Sequence, residues 1–305
     1  MKVKSLNTRK HAAGFTLLEL LVVVAILAAV AGTASIALKD TDARASAAAH
    51  VAMMDELNKG VHTYRVLTRN SFPNQFDSLM ELGTDTTDAV RAGSTATSGD
   101  ELLGWDAGDA DAAFALNADA VGVLGDAGIT DLMYIDTAGD PADDGDCSDV
   151  NDLIASRGNA VVSNNIFMTP DANGCGSIEA LVDGSVVTVW TGGNERLTGQ
   201  EDPAGDGSAY NADGNPVYLM VGVGPSSTLF NTGELGGMTT VPVYRHVGPT
   251  QYGRFIAIFE IGTWDSAEAD GYEVIDQIEF ITVVDGALDT KEEELGEWDG
   301  TRNTI

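Results

Sequence analysis

Residues 14–27 read Gly14-Phe15-Thr16-Leu17-Leu18-Glu19-Leu20-Leu21-Val22-Val23-Val24-Ala25-Ile26-Leu27. They open a run of 24 mostly apolar residues, Phe15 to Leu38, in which Glu19 is the only charge. As a helix this run extends roughly 36 Å, enough to cross a bilayer core of about 30 Å. The preceding residues, MKVKSLNTRKHAAG, carry Lys2, Lys4, Arg9 and Lys10 and no acid. That basic flank places the amino end on the cytoplasmic side and the rest of the chain beyond the inner membrane.

Three readings fit such a start: a plain anchor, a secretory signal cut at Ala29-Val30-Ala31, and a prepilin leader cut between Gly14 and Phe15. Glu19 separates them. A carboxylate deep in an apolar segment costs about 2.5–3.5 kcal/mol on insertion, so it marks a function. A secretory segment has no use for it, whereas a filament subunit can pair it with an exposed α-amine on a neighbouring helix. The stretch Gly14 to Leu27 resembles, almost residue for residue, the class III signal of type IV pilins and type II secretion pseudopilins. The specific part of the resemblance lies in this amino-terminal segment. It implies cleavage after Gly14 by a prepilin peptidase, N-methylation of Phe15, and a role for Glu19 in docking subunits. It also implies partners: other pilin subunits, the inner membrane, and the pilus or secretion assembly machinery. The precursor would sit in the inner membrane by a single pass with its head periplasmic, and later in a pilus or pseudopilus. Many relatives carry a proline in this helix that lets it melt locally. Here there is none between Phe15 and Phe72, and Gly32, with Thr33 and Ser35, is the one nearby weak point.

Beyond Leu38 the helical pattern continues. Ala47, Val51, Met54, Leu57, Val61, Tyr64 and Leu67 recur at steps of three and four, the stripe of an amphipathic helix. One helix from Phe15 to about Thr68 is expected, apolar all round in its first half and one-sided in its second. Gly60 is its only breaker after residue 39. His50 and His62, twelve residues apart, read as ordinary helix residues, not metal ligands. The division is then a leader (1–14), a transmembrane and stem helix (15–70) and a globular head (71–305).

Within the head, Ser71-Phe72-Pro73 stops the helix, and Phe72 to Leu82 resembles the linker and short helix that follow the stem in many pseudopilins. Asp100 to Gly108 and Ala110 to Leu124 read as alanine-rich helical stretches, and Gly128 to Asp136 as a helix-to-strand passage. Strands are expected at 186–190, 217–223, 254–261 and 277–284, where β-branched and aromatic residues lie between Gly, Pro, Asn and Asp clusters. The economical arrangement is α+β: the long helix packed on an antiparallel sheet, with acidic, partly helical insertions. Residues 291–305 read as an exposed or frayed tail.

Composition narrows the function. The chain has 47 acidic and 16 basic side chains among 305 residues, a formal net charge of -31. Between Ser71 and Asn215 there are 27 acids against three bases. A surface that grips phosphate backbones needs clustered Lys and Arg, so nucleic acid is not an expected partner of the head. Removal of residues 1–14 leaves 12 basic side chains and a formal charge of -35.

Cys147 and Cys175 are the only thiols. In a head outside the inner membrane a disulfide is the natural reading, worth about 3–4 kcal/mol of chain entropy for such a spacing; two free thiols are the alternative. Asp140, Asp143, Asp144 and Asp146, followed by Asp149 and Asp152, supply the hard oxygens calcium takes, although Ala142 breaks the EF-hand pattern. Asn211-Ala212-Asp213-Gly214-Asn215 is a second calcium candidate. The alternative for both is a solvated acidic loop. No nucleophile elbow, zinc-protease, Cys-x-x-Cys or phosphate-loop motif occurs, and His246, the only histidine after the stem, reads as structural. The expectation is a non-enzymatic filament subunit with no certain cofactor, calcium being the one candidate. The rival is an acidic domain, secreted or membrane-tethered, that never polymerises.

Overall fold

The computed structural model describes residues 17–82, 110–136, 176–199, 210–231, 237–244 and 252–299. Helix α1 runs without a break from Leu17 to Leu67, 51 residues and roughly 75 Å. The hydroxyls of Thr33 and Ser35 bond back to Val30 and Ala31 carbonyls at 3.0 and 2.8 Å. The expected weak point is therefore continuous helix, its hydroxyls satisfied by the backbone they crowd. At the other end the helix closes in a left-handed turn. Arg69 and Asn70 take φ of 62° and 82°, and Asn70 N–H reaches back to Arg65 O at 2.7 Å, the six-to-one bond that satisfies a terminal carbonyl.

An eight-stranded sheet follows, in the order β2-β5-β6-β1-β3-β4, with β7 paired to β6 and β8 to β7. Its strands are β1 (Phe76–Leu82), β2 (Ala110–Ala115), β3 (Asp131–Asp136), β4 (Gly176–Ala180), β5 (Val186–Trp190), β6 (Pro216–Gly222), β7 (Ile256–Trp264) and β8 (Tyr272–Val284). The helices are α2 (Ala118–Asp126), the short α3 (Asn194–Thr198) and α4 (Lys291–Asp299), with a 3-10 turn at Thr228–Phe230. The fold is α+β. All four expected strands are present, at 186–190, 216–222, 256–264 and 272–284.

The sheet is mixed, not purely antiparallel, because β1 and β3 run parallel, with Phe76 opposite Leu132 and Asp77 opposite Met133. This also corrects the reading of Phe72 to Leu82 as linker and helix. Phe76 and Leu79 are core residues, and the buried Asp77 accepts a 2.5 Å hydrogen bond from Tyr252 Oη. A side chain at Gly224 would collide with that carboxylate. Tertiary partners on both sides thus hold the segment extended against its local propensity.

Alanine content misled at Ala110 to Leu124. Residues 110–115 pair with β5, and Phe114 packs against Tyr272 and Trp264 with ring centroids at 4.8 and 5.5 Å. The helix begins only after Asn117, whose side chain accepts from Ala120 N–H at 2.9 Å, an N-cap. The expected frayed tail is likewise a helix over 291–299. Thr290 and Glu293 form a capping box: Thr290 N–H donates to Glu293 Oε2 at 2.9 Å and Glu293 N–H to Thr290 Oγ1 at 3.4 Å. Lys291 bonds Asp55 of α1 at 2.5 Å, and Arg196 bonds Glu293 through Nε and Nη2 at 3.2 and 3.1 Å.

The core lies between sheet and helices. Its centre is aromatic: Phe259 meets Phe72, Phe280 and Phe76 at centroid distances of 5.2, 5.4 and 5.8 Å. We expect Phe259→Ala to cost about 3–5 kcal/mol, read as a lowered denaturant midpoint of the full-length chain in detergent.

Candidate functional site

The two halves of α1 have opposite surroundings. Ala47, His50, Met54, Leu57, Gly60 and Val61 are buried, at the spacing of one helical face. The expected stripe is present through Val61, then fades: Tyr64 is half-buried and Leu67 exposed. Gly60 is a contact, not a defect. A Cβ there would lie 2.5 Å from Met238 Sδ, and one on Gly237 would lie 2.8 Å from Gly60 O. The helix and the 237–244 segment therefore approach backbone to backbone.

In the first half, Leu17–Ser35 has a mean hydropathy of 2.5 and no buried residue. Leu17, Leu18, Leu21 and Leu27 are 81, 71, 62 and 62% exposed. Each such side chain stands to gain about 1.5–3 kcal/mol on burial, and none of the described residues of the head covers it. Glu19 lies in the first turn of this exposed half, where the positive end of the helix dipole favours a carboxylate.

The seam between stem and head is stitched by polar side chains. Asn74 Oδ1 accepts from Thr130 N–H and Asp131 N–H, each at 3.0 Å. Its Nδ2 donates to Thr130 Oγ1 and Asp131 Oδ2, each at 2.8 Å. Its own N–H donates to Thr228 Oγ1 at 2.8 Å, a hydroxyl that also meets Tyr64 Oη of α1 at 3.1 Å. The Asn74 side chain thereby ties the entry to β1 to the start of β3, while its backbone N–H and the Thr228 hydroxyl tie it through the 3-10 turn to the helix. No sequence pattern pointed to Asn74 beyond its place after a proline.

The other sequence candidates divide cleanly. Gly14, Phe15, Cys147, Cys175, His246 and the acidic run Asp140, Asp143, Asp144 and Asp146 lie outside the described residues. Asp213, of the second calcium candidate, ties two turns together: it accepts from Ser266 N–H and Oγ–H at 2.8 and 2.7 Å. These two bonds hold its carboxyl below the usual carboxylate range. Among the described residues no group of three or more His, Cys, Asp or Glu side chains is placed to hold a metal ion.

The family model for the prokaryotic N-terminal methylation motif matches residues 9–35. This segment is a type IV pilin-like prepilin signal. The match takes in Arg9 and Lys10 of the basic flank, Gly14, Phe15, Glu19 and the exposed apolar half of α1. Motif and helix together fit a membrane-anchored precursor processed by a prepilin peptidase. Comparison with curated proteins and with solved structures gives no match.

Asn74→Ala removes the acceptor of two backbone N–H groups at this seam. We expect a loss of about 2–3 kcal/mol, measured by chemical denaturation in detergent, with the helical circular dichroism of the folded chain unchanged.

Proposed function

We propose that this chain is a structural subunit of a type IV pilus or type II secretion pseudopilus-like filament. The carrying observation is the prepilin signal over residues 9–35 running directly into a helix whose apolar half has no buried residue. A prepilin peptidase cuts after Gly14 on the cytoplasmic face, and the new amine on Phe15 is methylated. The apolar stems then leave lipid for one another. This transfer gains little hydrophobic energy, because lipid tails are as apolar as leucine, so packing and specific polar pairs must supply specificity. Glu19 supplies one such pair, with the Phe15 amine of a neighbour. Enclosed among apolar helices, that pair sets the register between subunits more than it adds bulk stability.

The acidic heads form the outer surface of the filament. At a formal mature charge of -35 they repel, and salt screens that repulsion over about 8–10 Å. The head carries no catalysis in this reading; its part is to cap the stem and present surface. A disulfide between Cys147 and Cys175 belongs to the same reading, as a staple formed outside the inner membrane.

Two measurements test the proposal. Intact mass and amino-terminal sequencing of the protein from cells should give N-methylated Phe15 as the first residue. A chain beginning at Gly32 would instead indicate ordinary secretion of an acidic domain, and an intact Met1 a simple anchor. Glu19→Ala should leave cleavage intact and reduce filament yield by at least about tenfold, the loss of one pair worth about 1.4 kcal/mol per subunit contact. Normal filaments from this variant, counted by electron microscopy of sheared cells, would remove Glu19 from the mechanism.

A further inference from the structure

Helix α4 docks on the stem over a knot of titratable groups buried from water. His50 of α1, Tyr244 of the 237–244 segment, Asp285 at the end of β8 and Glu294 of α4 are 4, 3, 0 and 2% exposed. Glu294 Oε1 faces His50 Nδ1 at 3.2 Å and accepts from Tyr244 Oη at 3.5 Å. The His50 and Tyr244 rings meet edge to face with centroids 4.5 Å apart. Asp285 Oδ1 accepts two backbone bonds, from Ala287 N–H and Asp289 N–H, each at 2.9 Å. Its other oxygen, Oδ2, is buried with no donor at hydrogen-bond distance, and the Glu294 carboxyl and the Tyr244 hydroxyl both lie beside the Asp285 side chain.

Two carboxylates in dry contact repel strongly. A single proton between them turns the contact into a short, charge-assisted hydrogen bond and provides for Asp285 Oδ2. The backbone bonds on Oδ1 leave Oδ2 as the site for that proton. Glu294 then remains the one anion, and a protonated His50 on its far oxygen balances it. We propose that Asp285, Glu294 and His50 form a proton-operated latch that holds α4 on the stem, closed while the carboxyl pair shares a proton and His50 is charged, and released as those protons leave.

Burial, and then the Glu294 carboxyl beside it, push Asp285 well above the usual carboxylate range. Burial and the Asp285 and Glu294 charges push Tyr244 upward as well, so its hydroxyl stays a donor. The sign follows from linkage. The native latch keeps a proton that an unfolded Asp has already released, so its hold is greatest at acid pH. It declines as pH climbs from the ordinary carboxylate range through the raised one. Loss of the His50 proton acts in the same direction. The other charged groups around α4 are Asp289, which gives Asp285 its N–H, and the pairs Lys291–Asp55 and Arg196–Glu293. These pairs lie outside the knot and tether α4 to α1 and α3 beside it.

The test is hydrogen exchange on the full-length chain in detergent, read as protection factors for amides of 291–299 and 47–54 at about pH 5.5 and about pH 8.5. One linked proton allows up to tenfold per pH unit. We therefore expect protection of α4 to fall by at least about tenfold across the range, while the β6 and β7 amides keep theirs. D285N places an amide donor where the shared proton sits and should hold protection flat within about threefold. H50Q should lower protection at the acid end and shallow the slope. Constant wild-type protection, or a D285N protein that keeps the wild-type slope, overturns the latch. Should D285N fail to fold, E294Q serves the same arm, and the wild-type profile alone still decides.

Discussion

One unbroken helix has to live in two solvents. From Ala47 to Val61 a face of α1 is buried in the head; from Leu17 to Ser35 nothing in the described chain covers it. A water-exposed stretch of nineteen residues with mean hydropathy 2.5 is not a stable surface for a soluble protein, so the helix requires an apolar surround from elsewhere. Everything above it follows from that requirement. The head must grip the upper half firmly, and the lower half must stay uniform enough to sit in lipid or among like helices. The hydroxyls of Thr33 and Ser35 meet that second demand by bonding their own backbone.

The head achieves its grip with few cations. In a chain with 16 basic side chains against 47 acidic ones, three of the described basic residues sit where elements join. Lys291 ties α4 to α1, Arg196 ties α3 to α4, and the Arg65 guanidinium lies 4.8 Å above the Phe72 ring at the end of the stem. Where two carboxyls are buried together, at Asp285 and Glu294, the neutralising charge is a proton. Acid-rich composition and proton-dependent packing are thus two aspects of one shortage.

Much of this was legible in the sequence. The amino-terminal signal depends on residue types at fixed offsets, and the stem on a three-four stripe, so both are local: the family model matches residues 9–35, and the stripe is buried as far as Val61. The four strands at 186–190, 216–222, 256–264 and 272–284 carried β-branched and aromatic runs that no helix competes for. The failures lie where tertiary contacts outvote local preference. Alanines 110, 112, 113 and 115 favour helix in isolation, yet the strand partner β5 and the slot for Phe114 decide. Residues 76–82 became a strand, parallel to β3 and antiparallel to β6, because both offered edges. Lys291-Glu292-Glu293-Glu294 looked like a solvated charge run, and only the docking of α4 reveals Glu294 as buried. Asn74 and the His50 knot were invisible for the same reason: the partners of Asn74 lie 56 to 154 residues away in sequence, and Glu294 lies 244 from His50.

The continuity of α1 has a mechanical side. A rod without a hinge passes tension applied at its apolar end straight to its upper end, with no compliant segment to absorb it. There the load meets links between α1 and the head that stand side by side: Tyr64 to Thr228, Asp55 to Lys291, His50 to Glu294, and the close backbone approach of Gly60 and Gly237. Links loaded side by side share the force, whereas the run from Thr228 through Asn74 to Thr130 behind the first of them is in series and would open one bond after another. The head is fastened to its stem in the manner of a shear joint.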